Sequence, residues 1–142
     1  MNHSRGVAPS LHSLLHTAAT AQNHVEGRLA AIGLSLAKLA ALSVLGEAGE
    51  QLPLGQLAER LSCVKSNITQ LVDRLEADGL VARRDAPGDR RTRLAVMTAA
   101  GKKAWKRGSA IQQTGERELF AKLSKVEARQ LAALMEKVAA KP

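Results

Sequence analysis

Residues 57–98 read LAERLSCVKSNITQLVDRLEADGLVARRDAPGDRRTRLAVMT, and their periodicity changes once, near Gly79. Before it, Ile68, Leu71, Val72 and Leu75 recur at helical spacing, with Lys65, Ser66, Asn67, Thr69, Gln70 and Arg74 on the opposite face. This predicts a helix over Lys65–Asp78, closed by Gly79 where a left-handed cap residue belongs. A shorter helix over Leu54–Leu61 precedes it, with Pro53 expected in its first turn and Ser62-Cys63-Val64 as the connecting turn. After Gly79, Leu80–Arg84 and Thr92–Met97 read as two strands joined by a turn-rich tip, Asp85–Arg91. The order is helix, short turn, helix, hairpin.

The charge follows the same stretch. The chain of 142 residues carries a formal net charge of +8. Residues 79–107 hold nine Lys and Arg against two Asp, a net +7. Arginines concentrated on one short hairpin point to a polyanion, where evenly scattered lysines would mark a solvated face. With one Trp, one Phe and no Tyr, the chain lacks a stacking platform for single-stranded nucleic acid. The hydrophobic share of 45% is too high for a disordered chain. A single Cys makes no disulfide framework or four-Cys zinc site. No apolar run is long enough to span a membrane and no signal peptide is recognisable, so a cytoplasmic setting is expected.

Outward from the hairpin the chain reads as helices. Ser10 can cap a helix to about Ala31, carrying Leu11, Leu14, Leu15 and Ala18 on one face and ended by Gly33. Ser35 can cap a second, with Leu36, Leu39, Ala40, Leu42 and Val44, closed by Gly46 and Gly49. Thr98 can cap a long helix to about Leu123, in which Gly101, Gly108 and Gly115 are each expected to cost about 1 kcal/mol relative to Ala. Ser124-Lys-Val-Glu127 has capping-box spacing and opens a last helix with Leu131, Leu134, Met135 and Val138 on one face. The expected fold class is mainly α with a small β-hairpin, a winged helix-turn-helix at residues 33–98. Residues 9–32 and 99–142 form the helical remainder of one compact chain.

This layout suits double-stranded DNA. A protruding helix fits the major groove, where Asn and Gln pair with adenine and Lys and Arg with guanine, while Ser and Thr reach phosphates. Arg83, Arg84, Arg90, Arg91 and Arg93, with Asp89 among them, would serve the neighbouring minor groove or backbone.

Leu57-Ala58-Glu59-Arg60-Leu61, the run Lys65–Glu76, Gly79-Leu80-Val81, Asp89-Arg90-Arg91-Thr92-Arg93-Leu94 and Met97-Thr98-Ala99-Ala100-Gly101 resemble the MarR family of bacterial repressors. The resemblance runs from about residue 10 to 140. It implies a homodimer with intertwined N- and C-terminal helices and two winged domains astride a pseudo-palindrome. By the same resemblance, Lys65 to Gln70 and Arg74 contact DNA, Asp89 orients the wing and Arg91 enters the minor groove. A small-molecule effector would alter the spacing of the two heads. The scarcity of aromatics argues against a ring-stacking effector pocket.

Other residues carry two readings each. Cys63 is a redox-sensor candidate beside a basic helix, although a small turn residue is the simpler role. His12 and His16 share a helix face but lack a third metal ligand; a polar or dimer-contact face, or the lining of an effector pocket, are the alternatives. Trp105 is expected to pack against the first helix or a partner copy, or to line that pocket. No phosphate loop, nucleophile elbow or zincin motif occurs, so neither an enzyme nor a cofactor or metal is expected. A sequence-indifferent, nucleoid-type DNA binder is the alternative function.

Overall fold

The computed structural model describes residues 8–61 and 68–141. In chain order these form α1 (Leu11–Ala30), α2 (Leu36–Glu47), β1 (Gln51–Pro53), α3 (Leu54–Arg60), α4 (Ile68–Ala77), β2 (Val81–Ala86), β3 (Asp89–Met97), α5 (Ala99–Phe120) and α6 (Lys125–Ala139). The expected turn at 62–64 and the first residues of the recognition helix, Lys65 to Asn67, lie outside the described residues, as does Cys63.

The helix starts follow from hydroxyl caps. Ser10 Oγ accepts from Ser13 N at 3.0 Å while Ser13 returns a bond to the cap. Ser35, Thr98 and Ser124 cap α2, α5 and α6, and Ser124 with Glu127 completes the expected capping box. The helix ends share one device. Leu34 N reaches Leu29 O at 3.1 Å and Leu80 N reaches Leu75 O at 2.9 Å, with Gly33 and Gly79 between at φ of 73° and 74°. These are paired C-terminal caps whose left-handed residue favours glycine.

Three local expectations need correction. Pro53 is the N-cap of α3 with extended ψ, not a residue of its first turn, because it also ends a strand. That strand, β1, was not expected; it pairs antiparallel with β3, Leu52 opposite Ala95, so the sheet has the order β1-β3-β2. Three residues that include a proline carry no readable alternation. The hairpin is also longer than expected: its strands reach Ala86 and Asp89, leaving only Pro87-Gly88 as the loop.

The core lies mainly in the winged half and takes in the C-terminal end of α1. Leu29, Leu39, Leu42, Leu45, Leu57, Val72 and Leu75 are sealed from solvent, with Val81, Ala95 and Met97 contributed by the sheet. α5 packs on this core through the glycines read from sequence as weaknesses. Gly101, Gly108 and Gly115 are buried on one face, seven residues apart. A Cβ on Gly108 would sit 2.8 Å from methyls of both Leu34 and Leu39, and one on Gly115 would sit 3.1 Å from Val25. Their propensity cost is offset by the close approach they permit. α6 differs from every other helix in having no buried residue.

Candidate nucleic-acid interface and cavity

On α4, Leu71, Val72 and Leu75 are turned into the core and Thr69, Gln70, Asp73 and Arg74 are exposed. Asp73 and Glu76 would by themselves repel a phosphate backbone. Arg83 from β2 answers both. Its guanidinium lies 2.6 Å from Asp73 and 3.2 Å from Glu76, donates to Thr69 O at 3.3 Å, and is only 16% exposed. Arg83, expected among the wing's DNA contacts, ties the wing to α4 by pairing with both carboxylates. The sequence hides this because it depends on which face of β2 meets α4.

Asp89 shapes the tip. The hairpin register jumps from Asp85 opposite Arg93 to Ala86 opposite Asp89, so Arg90, Arg91 and Thr92 form an irregularity on β3. Asp89 Oδ1 accepts from Arg91 N at 2.9 Å and Oδ2 from Thr92 Oγ1 at 2.8 Å. The Arg91 N–H, then the Thr92 hydroxyl, hold the Asp89 carboxyl below its ordinary pKa. Arg90 and Arg91 are left exposed at the edge of the wing. Arg93 stands 3.5 Å from Asp85, and Lys102 pairs with Glu50. Among the described residues, Arg84, Arg90, Arg91, Lys103, Lys106 and Arg107 have no carboxylate partner, so much of the basic charge of residues 79–107 remains available.

A cavity of about 680 Å³ opens between α1, α2, α3 and α5. Leu36, Ala37, Ala40 and Val44 of α2 and Leu61 make its apolar floor, and Gln22, Asn23 and Glu26 of α1, with Arg60 and Gln112, its polar wall. Glu26 accepts a hydrogen bond from Leu36 N, the first amide of α2. None of Glu26, Arg60 and Gln112 was singled out from sequence, because they converge from three distant helices; the one local signal is a Glu ten residues before a helix start whose first N–H lacks an intrahelical partner.

Of the residues expected around an effector, His12 and His16 are exposed on the first turns of α1 and line neither cavity found among the described residues. Trp105, expected against the first helix or a partner copy, packs on α2. Its ring lies against Gly46 of α2, where the missing side chain leaves room, and Nε1 donates to Ser43 Oγ at 3.1 Å. Ser43 lines the large cavity, so Trp105 stands behind its wall. Trp105 also borders a shallower recess of about 360 Å³ with Lys106, Ser109, Ala110 and Gln113. Among the described residues no cluster of three or more His, Cys, Asp or Glu could hold a metal, and no helix is long and apolar enough to cross a membrane.

Comparison with known proteins agrees with this architecture. The MarR family model matches residues 32–92. The chain is similar to the uncharacterized HTH-type transcriptional regulator YkoM of Bacillus subtilis (strain 168), 31% identical over 105 residues, which cover 74% of this chain and 68% of YkoM. It is 40% identical over 73 residues to the uncharacterized HTH-type transcriptional regulator YcgE of the same strain, covering 51% of this chain and 47% of YcgE. The chain thus spans about half the length of several relatives that it matches, 43% to 54%. A mutant MarR from E. coli complexed with operator DNA has the same fold, with a TM-score of 0.80, 23% identity and coverage of 92% of this chain and 94% of that one. The chain belongs to the MarR family, whose named members here are HTH-type transcriptional regulators.

Proposed function

We propose that this chain is a homodimeric, sequence-specific, ligand-responsive regulator of transcription, acting as a repressor on a pseudo-palindromic operator in the cytoplasm. It is a binding protein and not an enzyme. The observation that carries this reading is the wing: Asp89 closes a bulge that leaves Arg90 and Arg91 exposed, while Arg83 pairs with the two carboxylates of the adjacent helix. Thr69, Gln70 and Arg74 are then free to face base edges and phosphates, with Lys65, Ser66 and Asn67 expected to extend that surface. Arg84, Arg91 and Arg93 would supply phosphate or minor-groove contacts. A MarR of similar fold is complexed with operator DNA, which supports DNA as the partner.

The homodimer rests on uncovered apolar surface. Leu11, Leu14 and Leu15 of α1, Phe120, and Val126, Leu134, Met135 and Val138 of α6 are all exposed in the single chain. Folded chains rarely leave so many large apolar side chains on their terminal helices uncovered, and a second copy would cover them. The cavity beside α2 is the candidate effector site, because an apolar floor faces polar side chains converging from α1, α3 and α5.

The test is selection of duplexes from a random pool by the full chain, followed by competition with scrambled DNA. A regulator prefers its selected site by roughly 10³-fold or more. Equal competition by scrambled duplex would establish the sequence-indifferent binder instead.

A further inference from the structure

The cavity contains one acid held in its wall and one base at its rim. Glu26 is half-buried, with one carboxylate oxygen accepting from Leu36 N. Its other oxygen has no protein partner among the described residues. Arg60 is exposed, at the C-terminal end of α3. A charge in a partly apolar wall interacts more strongly with a ligand than one bathed in solvent. No aromatic side chain lines the cavity, so a ligand would be read by its charge and its apolar body, not by ring stacking.

Glu26 also sits at the start of a chain of contacts. Leu36 begins α2, and one residue earlier Ser35 Oγ accepts from Lys38 N at 3.1 Å. Lys38, its side chain 19% exposed, places Nζ 2.7 Å from Asp78 Oδ2, just past the end of α4. The first turn of α2 therefore touches the cavity acid on one side and the recognition helix on the other.

Resting on the regulatory reading above, we propose that this cavity binds a small cationic amphiphile, its amine held by Glu26, and that the first turn of α2 transmits occupancy to α4 through Lys38 and Asp78. An ammonium bound to the free oxygen of Glu26 draws the carboxylate toward the cavity, weakens its bond to Leu36 N and loosens that turn. The Lys38–Asp78 bridge then no longer holds α4 in its DNA-competent position. The ligand weakens DNA binding, and DNA weakens ligand binding by the same factor, about 5- to 150-fold for typical couplings.

The probes are 1-naphthylmethylamine and 1-naphthoate, which share a ring and differ in head charge. Calorimetry on the full chain should show the amine binding at least about tenfold tighter, a difference of 1.4 kcal/mol. Glu26→Gln, which keeps an acceptor for Leu36 N, should abolish that preference. Lys38→Met and, separately, Asp78→Asn should leave amine affinity intact but remove its effect on a selected duplex. Tighter binding of naphthoate that is lost in Arg60→Gln would overturn the proposal in favour of an anion site. Equal binding of the two probes, or binding of neither, would also overturn it. Because the calorimetry needs no DNA, failure of the ligand reading and failure of the DNA reading are separable.

Discussion

In the winged half, Leu42, Leu45, Leu57, Val72 and Leu75 are sealed from solvent, whereas α6 buries nothing and leaves Leu134 57% and Val138 70% exposed. The same residue type thus meets opposite fates within one short chain. The head builds its core between α2, α3, α4 and the sheet, closed by Val25 and Leu29 of α1 and the glycine face of α5. α6 has an equally regular apolar face but buries none of it within the chain, and α1 buries Val25 and Leu29 while leaving Leu11, Leu14 and Leu15 exposed. A helix of α6's length gains most of its stability from burying such a face, so its regularity argues for a second copy. Charge divides the other way, with Arg83, Arg84, Arg90, Arg91 and Arg93 on the wing and exposed apolar side chains on the terminal helices.

The largest way to break this contrast is at α6. Leu134→Asp with Met135→Asp should convert a dimer into a monomer by sedimentation velocity while the head stays folded. Burial of each such side chain is worth about 1.5–3 kcal/mol, and each occurs twice in a dimer, so the loss is roughly 6 kcal/mol or more. If the double variant stayed dimeric, the interface would lie elsewhere. Next comes the head: Leu75→Ala should cost about 2–5 kcal/mol in denaturant unfolding through the cavity it leaves. Leu134→Ala, measured on a dilute monomer, should cost under about 0.5 kcal/mol, as surface changes do.

Gly108→Ala should destabilise by about 1–3 kcal/mol, because its methyl collides with Leu34 and Leu39. In an ordinary helix the same change would stabilise by about 1 kcal/mol, so the sign alone decides whether the glycine face is a packing surface. Arg91→Ala should weaken binding to all duplexes alike and lower the salt slope by about 1. Arg83→Ala should instead disturb sequence preference, since it uncovers Asp73 and Glu76 on the helix itself. The smallest effect concerns Asp89. Its folded pKa is depressed, so its contribution is present above the ordinary aspartate range and is lost as pH falls through the lower folded value. The Arg91 amide should shift in that acid range by NMR, and Asp89→Ala should remove the titration.

Local devices were legible in the sequence. Ser10, Ser35, Thr98 and Ser124 cap where their hydroxyls precede apolar periodicity, and Gly33 and Gly79 close helices where that period ends. The inner face of α4 and the basic hairpin were equally readable. What escaped needs two distant segments at once. β1 is too short to alternate and exists because β3 offers it an edge. Arg83 is indistinguishable from Arg84 in sequence, yet one faces α4 and the other solvent. The glycines of α5 read as weak points until Leu34, Leu39 and Val25 are seen against them. The cavity's polar residues come from helices far apart in the chain.

Two winged heads are expected to join through terminal helices whose exposed apolar faces a second copy covers. Sedimentation of the full chain, free and with a selected duplex, tests this arrangement most directly. The account predicts twice the 15.1 kDa chain mass without DNA and two chains on each duplex, with no one-chain complex populated at any ratio. A stable monomer at micromolar concentration that binds the selected duplex singly and with full preference would contradict it.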